Sequence, residues 1–273
     1  MPRSVQDFPL DHLATAAGAA PKYCLSFTAA SLRPELATVI AGIYLEQGDW
    51  GCTKALVLER NALQARSASS AKRLESELRQ RLQRLTTSQL ELLAKGTSDE
   101  RTAMAWLAVL KRIQIAADVT QEVLTGKLSS LDPVLRRSDM AAFYEATERD
   151  HPELGALAPS SQQKVRSALL QMLREAGLLV GKAGKGGTLG TVQRPLVSPQ
   201  VQELLEDDDP ALLEGFLLSP AARPAKAGKT KAPAKASAKP APKPATKPAA
   251  KTAVKAAPKP AAKKASAAKR KTA

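Results

Sequence analysis

The chain has 273 residues, and 41 Lys and Arg against 26 Asp and Glu give it a formal charge of +15, the balance of a protein that seeks phosphate. Two cysteines, Cys24 and Cys52, are too few for a disulfide framework and point to a reducing cytoplasm. The longest apolar runs, such as LATVIAGIYL, reach half of the roughly 20 residues a bilayer crossing needs, and no basic-then-apolar signal opens the chain, so the composition excludes a membrane-spanning protein.

Taken in order, the elements read as helix after helix. Ser31 with Pro34 opens a first helix through Leu45, closed by Gly48, and Asp49 caps a second that carries Trp50, Leu56, Leu58 and Leu63. The polar break RSASS precedes a third helix to about Leu85. Thr86 with Gln89 and Thr97 with Glu100 fit capping boxes. The first opens a short helix ended by Gly96, the second a long apolar helix through Trp106 and Val119 that Gly126 ends. Asp132-Pro133 and Ser138 start two shorter helices before a turn at His151-Pro152. Ser160 with Gln163 signals a helix over 161–176, ending at Gly177. The β-type runs LLV and TLGTV, separated by GKAGKGG, predict a hairpin with a glycine-rich tip. Ser198-Pro199 and Asp209-Pro210 open two last short helices.

The fold class is therefore mostly α. The expected organisation is a flexible N-terminus (1–22), a helical domain (23–130), a winged helix-turn-helix-like domain (131–219) and a Lys/Pro/Ala-rich tail (220–273). From Ala221 onward the tail holds 16 Lys and Arg and no acid, which leaves 25 basic and all 26 acidic side chains in the body. Proline removes backbone donors and alanine buries too little apolar area to offset ordering entropy, so the tail reads as disordered, with polyproline II character. It can bind phosphate without sequence preference through counterion release; if half its cations engaged duplex DNA, the log–log salt slope would be on the order of −7.

No enzymatic chemistry emerges. In GLLVGKAGKGGTLG the spacing fails both the Walker loop, where Lys182 is followed by Ala183, and the dinucleotide fingerprint, where position 189 is leucine. The histidines, His12 and His151, lie at no metal-ligand spacing from a cysteine or carboxylate, and no nucleophile arrangement is visible. The expectation is no enzyme, no metal and no cofactor.

Positive charge within the body is segregated. Residues 60–84 carry seven basic side chains against two acidic ones, and 160–197 carry six against Glu175 alone. On the helix at 161–176 the stripe Val165, Ala168, Leu169, Met172, Leu173 and Ala176 faces a core, which turns Gln163, Ser167, Gln171 and Arg174 outward, with Lys164 beside them. Such a face suits the major groove of duplex DNA, with the hairpin as a wing. Gln163, Ser167, Gln171 and Arg174 are the candidate groove contacts. Lys164, Arg166, Lys182 and Lys185 are candidate phosphate contacts, as are Lys72, Arg73 and Arg79 of the third helix, with Arg66, Ser69 and Ser70 at its start. Two other classes stay open: an RNA-binding antitermination-like protein, against which the scarcity of stacking aromatics argues, and an assembly scaffold whose tail alone binds nucleic acid.

The blocks YCLSFTAASL, YLEQGDW, NALQARSASSAKRL, LTTSQLELLAKG, HPELGAL, KVRSALLQMLREAGLL and SPQVQELLEDDDPALLEGF occur in the order and spacing of the BrxA family. This resemblance spans residues 23–217. BrxA proteins are small components of BREX, the bacteriophage-exclusion systems of bacteria. The resemblance implies a non-enzymatic, helical, DNA-binding component of phage defence; the cysteine count and the lack of a long apolar run place its expected location in the cytoplasm, nucleoid-associated. Its partners there would be duplex DNA and other BREX components: a methyltransferase, an ATPase and a phosphatase-like protein. The family has also been likened to the RNA-binding antitermination protein NusB, and the Lys/Pro/Ala tail departs from its usual ending.

Overall fold

Side-chain caps set most helix starts. Helix α1 (Pro34–Gln47) ends at Gly48 in the left-handed conformation, and Asp49 caps α2 (Trp50–Glu59) by accepting the Cys52 amide at 2.7 Å. Ser67 caps α3 (Ala68–Leu82) through the Ser70 amide, so most of the expected polar break is the first turn of that helix. Both capping boxes form, at Thr86 for α4 (Thr87–Lys95) and at Thr97 for α5 (Ser98–Arg112). Ser31 does not cap α1. Its carbonyl is taken by Arg81, and Arg33, in a left-handed conformation, stands at the helix start. The computed structural model describes residues 22–181 and 183–219. The expected tail and nearly all of the expected flexible N-terminus lie outside these, as does Lys182.

The long apolar helix expected from Thr97 to Gly126 is broken. At buried Ile113 the backbone leaves helical geometry (φ −112°, ψ 86°), and α6 (Gln114–Asp118), a π-helical turn (Val119–Leu124) and α7 (Thr125–Ser129) follow. Gly126 thus lies inside α7 rather than past a helix end. Nothing local announces the break: no proline or glycine lies near it, and Ile113, Ile115, Ala116 and Val119 are all fully buried.

Asp132-Pro133 opens a strand, not a helix. Strand β1 (Val134–Arg136) pairs with β3 (Thr188–Val192), which pairs in turn with β2 (Leu179–Val180), giving an antiparallel sheet of order β1-β3-β2. The hairpin of β2 and β3 forms as expected. Its closest approach requires Gly190, where a Cβ would lie 2.8 Å from the Val180 carbonyl oxygen. Between β1 and β2 the chain forms α8 (Arg137–Thr147), α9 (Pro152–Gly155) and α10 (Pro159–Glu175). Ser160 does not cap α10: Pro159 occupies the first turn, where its fixed φ suits a helix, and the cap position is Ala158 without a side-chain bond. Helix α11 (Pro199–Asp208) and a 3-10 turn (Pro210–Phe216) complete the described chain. It is mostly helical.

Residues 23–32 bind several helices at once. Tyr23 stacks on His151 at 3.7 Å, its hydroxyl donates to Asp118 at 2.6 Å and its amide to Glu153 at 2.8 Å. Burial, then the Asp118 bond, pushes the Tyr23 phenol well above its ordinary range. The carbonyls of Phe27, Ala30 and Ser31 accept from Arg81 of α3, and the Leu32 amide donates to Glu175 of α10 at 2.7 Å. His151 serves this packing and the turn before α9.

Candidate nucleic-acid interface

Helix α10 buries Val165, Leu169, Met172 and Leu173 and exposes Gln163, Lys164, Ser167 and Gln171. Those four expected contacts share one face. Gln163 donates to Ser167 at 3.4 Å and Gln171 to Glu175 at 2.8 Å, so the amides are pre-oriented along the helix. Thr28 borders the shallow groove beside Lys164, Ser167 and Gln171, which makes the 26–29 turn a neighbour that local periodicity does not reveal.

The arginines behave differently. Arg174 is half-buried and donates through Nη2 to the Leu189 carbonyl of β3 at 2.9 Å, so it braces helix to hairpin instead of reaching outward with its whole fork. We expect Arg174→Ala to cost about 1.5–3 kcal/mol of stability, read in urea denaturation, as for a lost hydrogen bond from a charged group. An unchanged midpoint would return Arg174 to solvent. Arg166 lies over the Tyr144 ring, 4.5 Å from its centroid. Burial raises the Tyr144 phenol, which the Arg166 charge partly counters.

On α3, Lys72 and Arg73 are exposed beside Arg66, Ser69 and Ser70, and the Ser70 hydroxyl is tied to Ser67. Arg79 is partly buried, and its Nε pairs with fully buried Glu75 at 2.7 Å. Lys185 lies in the 3-10 turn Lys185–Gly187 at the hairpin tip.

Sequence reasoning missed Arg137, which falls between the two counted basic segments. It is exposed at the start of α8, while its neighbour Arg136 is consumed by Asp132 at 2.6 Å and Lys127 by Asp139 at 2.8 Å. The Arg136 bond, assisted by Lys127, brings the Asp132 carboxyl down to about 2, although partial desolvation opposes it. These carboxylates neutralise Lys127 and Arg136 and leave Arg137 as the outward cation of LRRSD. The signal was legible as an Arg-Arg pair at a predicted helix start.

Among the described residues no three His, Cys, Asp or Glu side chains could hold a metal ion, and no helix is long and apolar enough to cross a membrane.

Comparison with known proteins extends this picture. The family model for BrxA matches residues 21–209. A BREX protein BrxA from Escherichia coli O9:H4 (strain HS) is 28% identical over 177 residues, covering 65% of this chain and 83% of the relative. A second, from Paramagnetospirillum magneticum (strain ATCC 700264 / AMB-1), is 23% identical over 161 residues, 59% of this chain and 81% of the relative. The crystal structure of an uncharacterized protein from Magnetospirillum magneticum has the same fold, with a TM-score of 0.63 at 20% identity over 72% of this chain and 98% of that one.

Proposed function

The chain belongs to the BrxA family, whose members are components of BREX phage-defence systems, and from that premise we propose that it binds duplex DNA through a winged helix-turn-helix formed within residues 131–219. The observation that carries this reading is topological. A three-stranded sheet of order β1-β3-β2, with α8, α9 and α10 inserted between β1 and β2, has the layout in which a last helix enters a groove and a hairpin flanks it. The polar face of α10 supplies amides and hydroxyls suited to base edges, and Lys164 suits phosphate. The exposed cations Arg66, Lys72 and Arg73 at the start of α3, within the helical part 23–130, would hold neighbouring backbone, and the tail would add sequence-independent affinity. The relatives are named as BREX proteins and not as enzymes, which agrees with a binding role. In this reading the protein is nucleoid-associated and assembles with the methyltransferase, ATPase or phosphatase-like protein of its system.

The test is duplex affinity against salt for the full chain, for residues 1–220, and for Gln163→Ala with Gln171→Ala. The truncated body should still bind, with a shallower salt slope, and the double variant should bind at least about tenfold more weakly, each lost amide contact being worth about 1–3 kcal/mol. If removing the tail abolishes all binding, the body is a partner-binding scaffold. If the body prefers hairpin RNA to duplex DNA, the antitermination-like reading replaces this one.

A further inference from the structure

Beside the exposed face of α10 lies a cleft of about 280 Å³ between α8, α10 and β3. Its floor is apolar, formed by Met140, Ala141, Leu170 and Leu189, and its rim carries Arg137 and Arg166 with no carboxylate among the lining residues. Leu170 is the odd member of α10. Turning 100° per residue places it between Gln163 and Arg166, on the edge of the polar face rather than in the buried stripe, and it is only partly buried. An apolar side chain at that position adds nothing to a phosphate grip. A cationic rim and neighbouring amides exclude most apolar partners but suit a polyanion that presents a small apolar group.

In the major groove one base edge has that chemistry: thymine, through its 5-methyl group. We propose that this cleft is a methyl-reading subsite, in which Leu170 and Ala141 contact thymine methyls while the exposed Arg137 holds the flanking phosphate. The inference rests on the duplex-binding reading above and adds to it a preference for thymine that the amides of α10 do not supply. Leu170 is then a specificity-determining residue, and Arg137 its electrostatic support.

The test uses the full chain at salt high enough to weaken the tail's contacts, with a pool of random duplexes built with thymine and the same pool built with uracil. Uracil keeps every hydrogen-bonding group and removes only the methyl. The tightest-binding fraction selected from the thymine pool should lose about fourfold in affinity for each contacted methyl when remade with uracil, the equivalent of about 0.8 kcal/mol. Leu170→Ala should lose most of the difference between the two versions, because Ala141 keeps only the smaller contact, and should retain the wild-type melting temperature within a few degrees. Equal affinity of the wild type for both versions overturns the proposal, as does discrimination that survives unchanged in Leu170→Ala. Absence of any duplex binding at this salt would instead count against the duplex reading itself.

Discussion

Replacing Arg81 by alanine should lower the free energy of unfolding by about 3–5 kcal/mol, the usual cost of removing one member of a buried ion pair. Arg81 is 2% exposed, and its Nε donates to Glu77 at 2.9 Å. Nη1 reaches the Ser31 carbonyl at 2.7 Å, and Nη2 those of Ala30 at 2.9 Å and Phe27 at 3.2 Å. Burial pulls the guanidinium below its ordinary pKa, and Glu77 pushes it back. Alanine would leave Glu77, itself 4% exposed, with Arg112 at 3.5 Å as its remaining partner, and would orphan three carbonyls. Lysine should recover only part of the loss, because a single ammonium cannot span acceptors that a planar fork reaches. Urea denaturation monitored by circular dichroism reads the effect directly; a loss below about 1 kcal/mol would mean that the 27–31 segment holds without its pin. The consequence extends to function, since the Leu32 amide at the end of this segment bonds Glu175, which in turn orients Gln171 on the face of α10.

Trp106→Ala is expected to cost a similar 3–5 kcal/mol, here through a cavity rather than an orphaned charge. Trp106 is 1% exposed in the middle of α5 and donates through Nε1 to the Gly215 carbonyl at 2.9 Å. That bond fastens the 3-10 turn Pro210–Phe216 to the helix, and a Cβ at Gly215 would require the end of the Leu110 side chain to move aside. In thermal unfolding the loss should lower the midpoint by roughly 10 °C for a body of this size. Trp106→Phe separates the two contributions. It keeps most of the ring and removes the donor, so it should cost only about 1–3 kcal/mol, the penalty for a buried carbonyl left unpaired. Equal losses for the two variants would show that the hydrogen bond, not the ring volume, holds the turn.

Much of this protein was legible without coordinates, and the legible parts share a cause. Asp49, Thr86, Thr97, Ser198 and Asp209 each cap their helix because a short polar side chain reaches an amide two or three residues ahead, a contact closed within one turn. The buried stripe of α10, its polar outer face and the glycine-rich hairpin follow from periodicity and composition over a dozen residues. Tertiary structure decided whatever depends on a distant partner. Strand β1 exists because Val134 and Leu135 find Thr191 and Gly190 more than fifty positions away, and a local reading of Asp132-Pro133 favours a helix instead. At Ile113 no proline or glycine marks the break, so a local reading carries the helix straight through it. The arginines show the same division most clearly. Their sequence positions placed charge on α3 and α10, but Arg79, Arg81, Arg166 and Arg174 are held by a carboxylate, by backbone carbonyls or by an aromatic ring, because a long cation turns toward whichever partner the packed chain brings within reach.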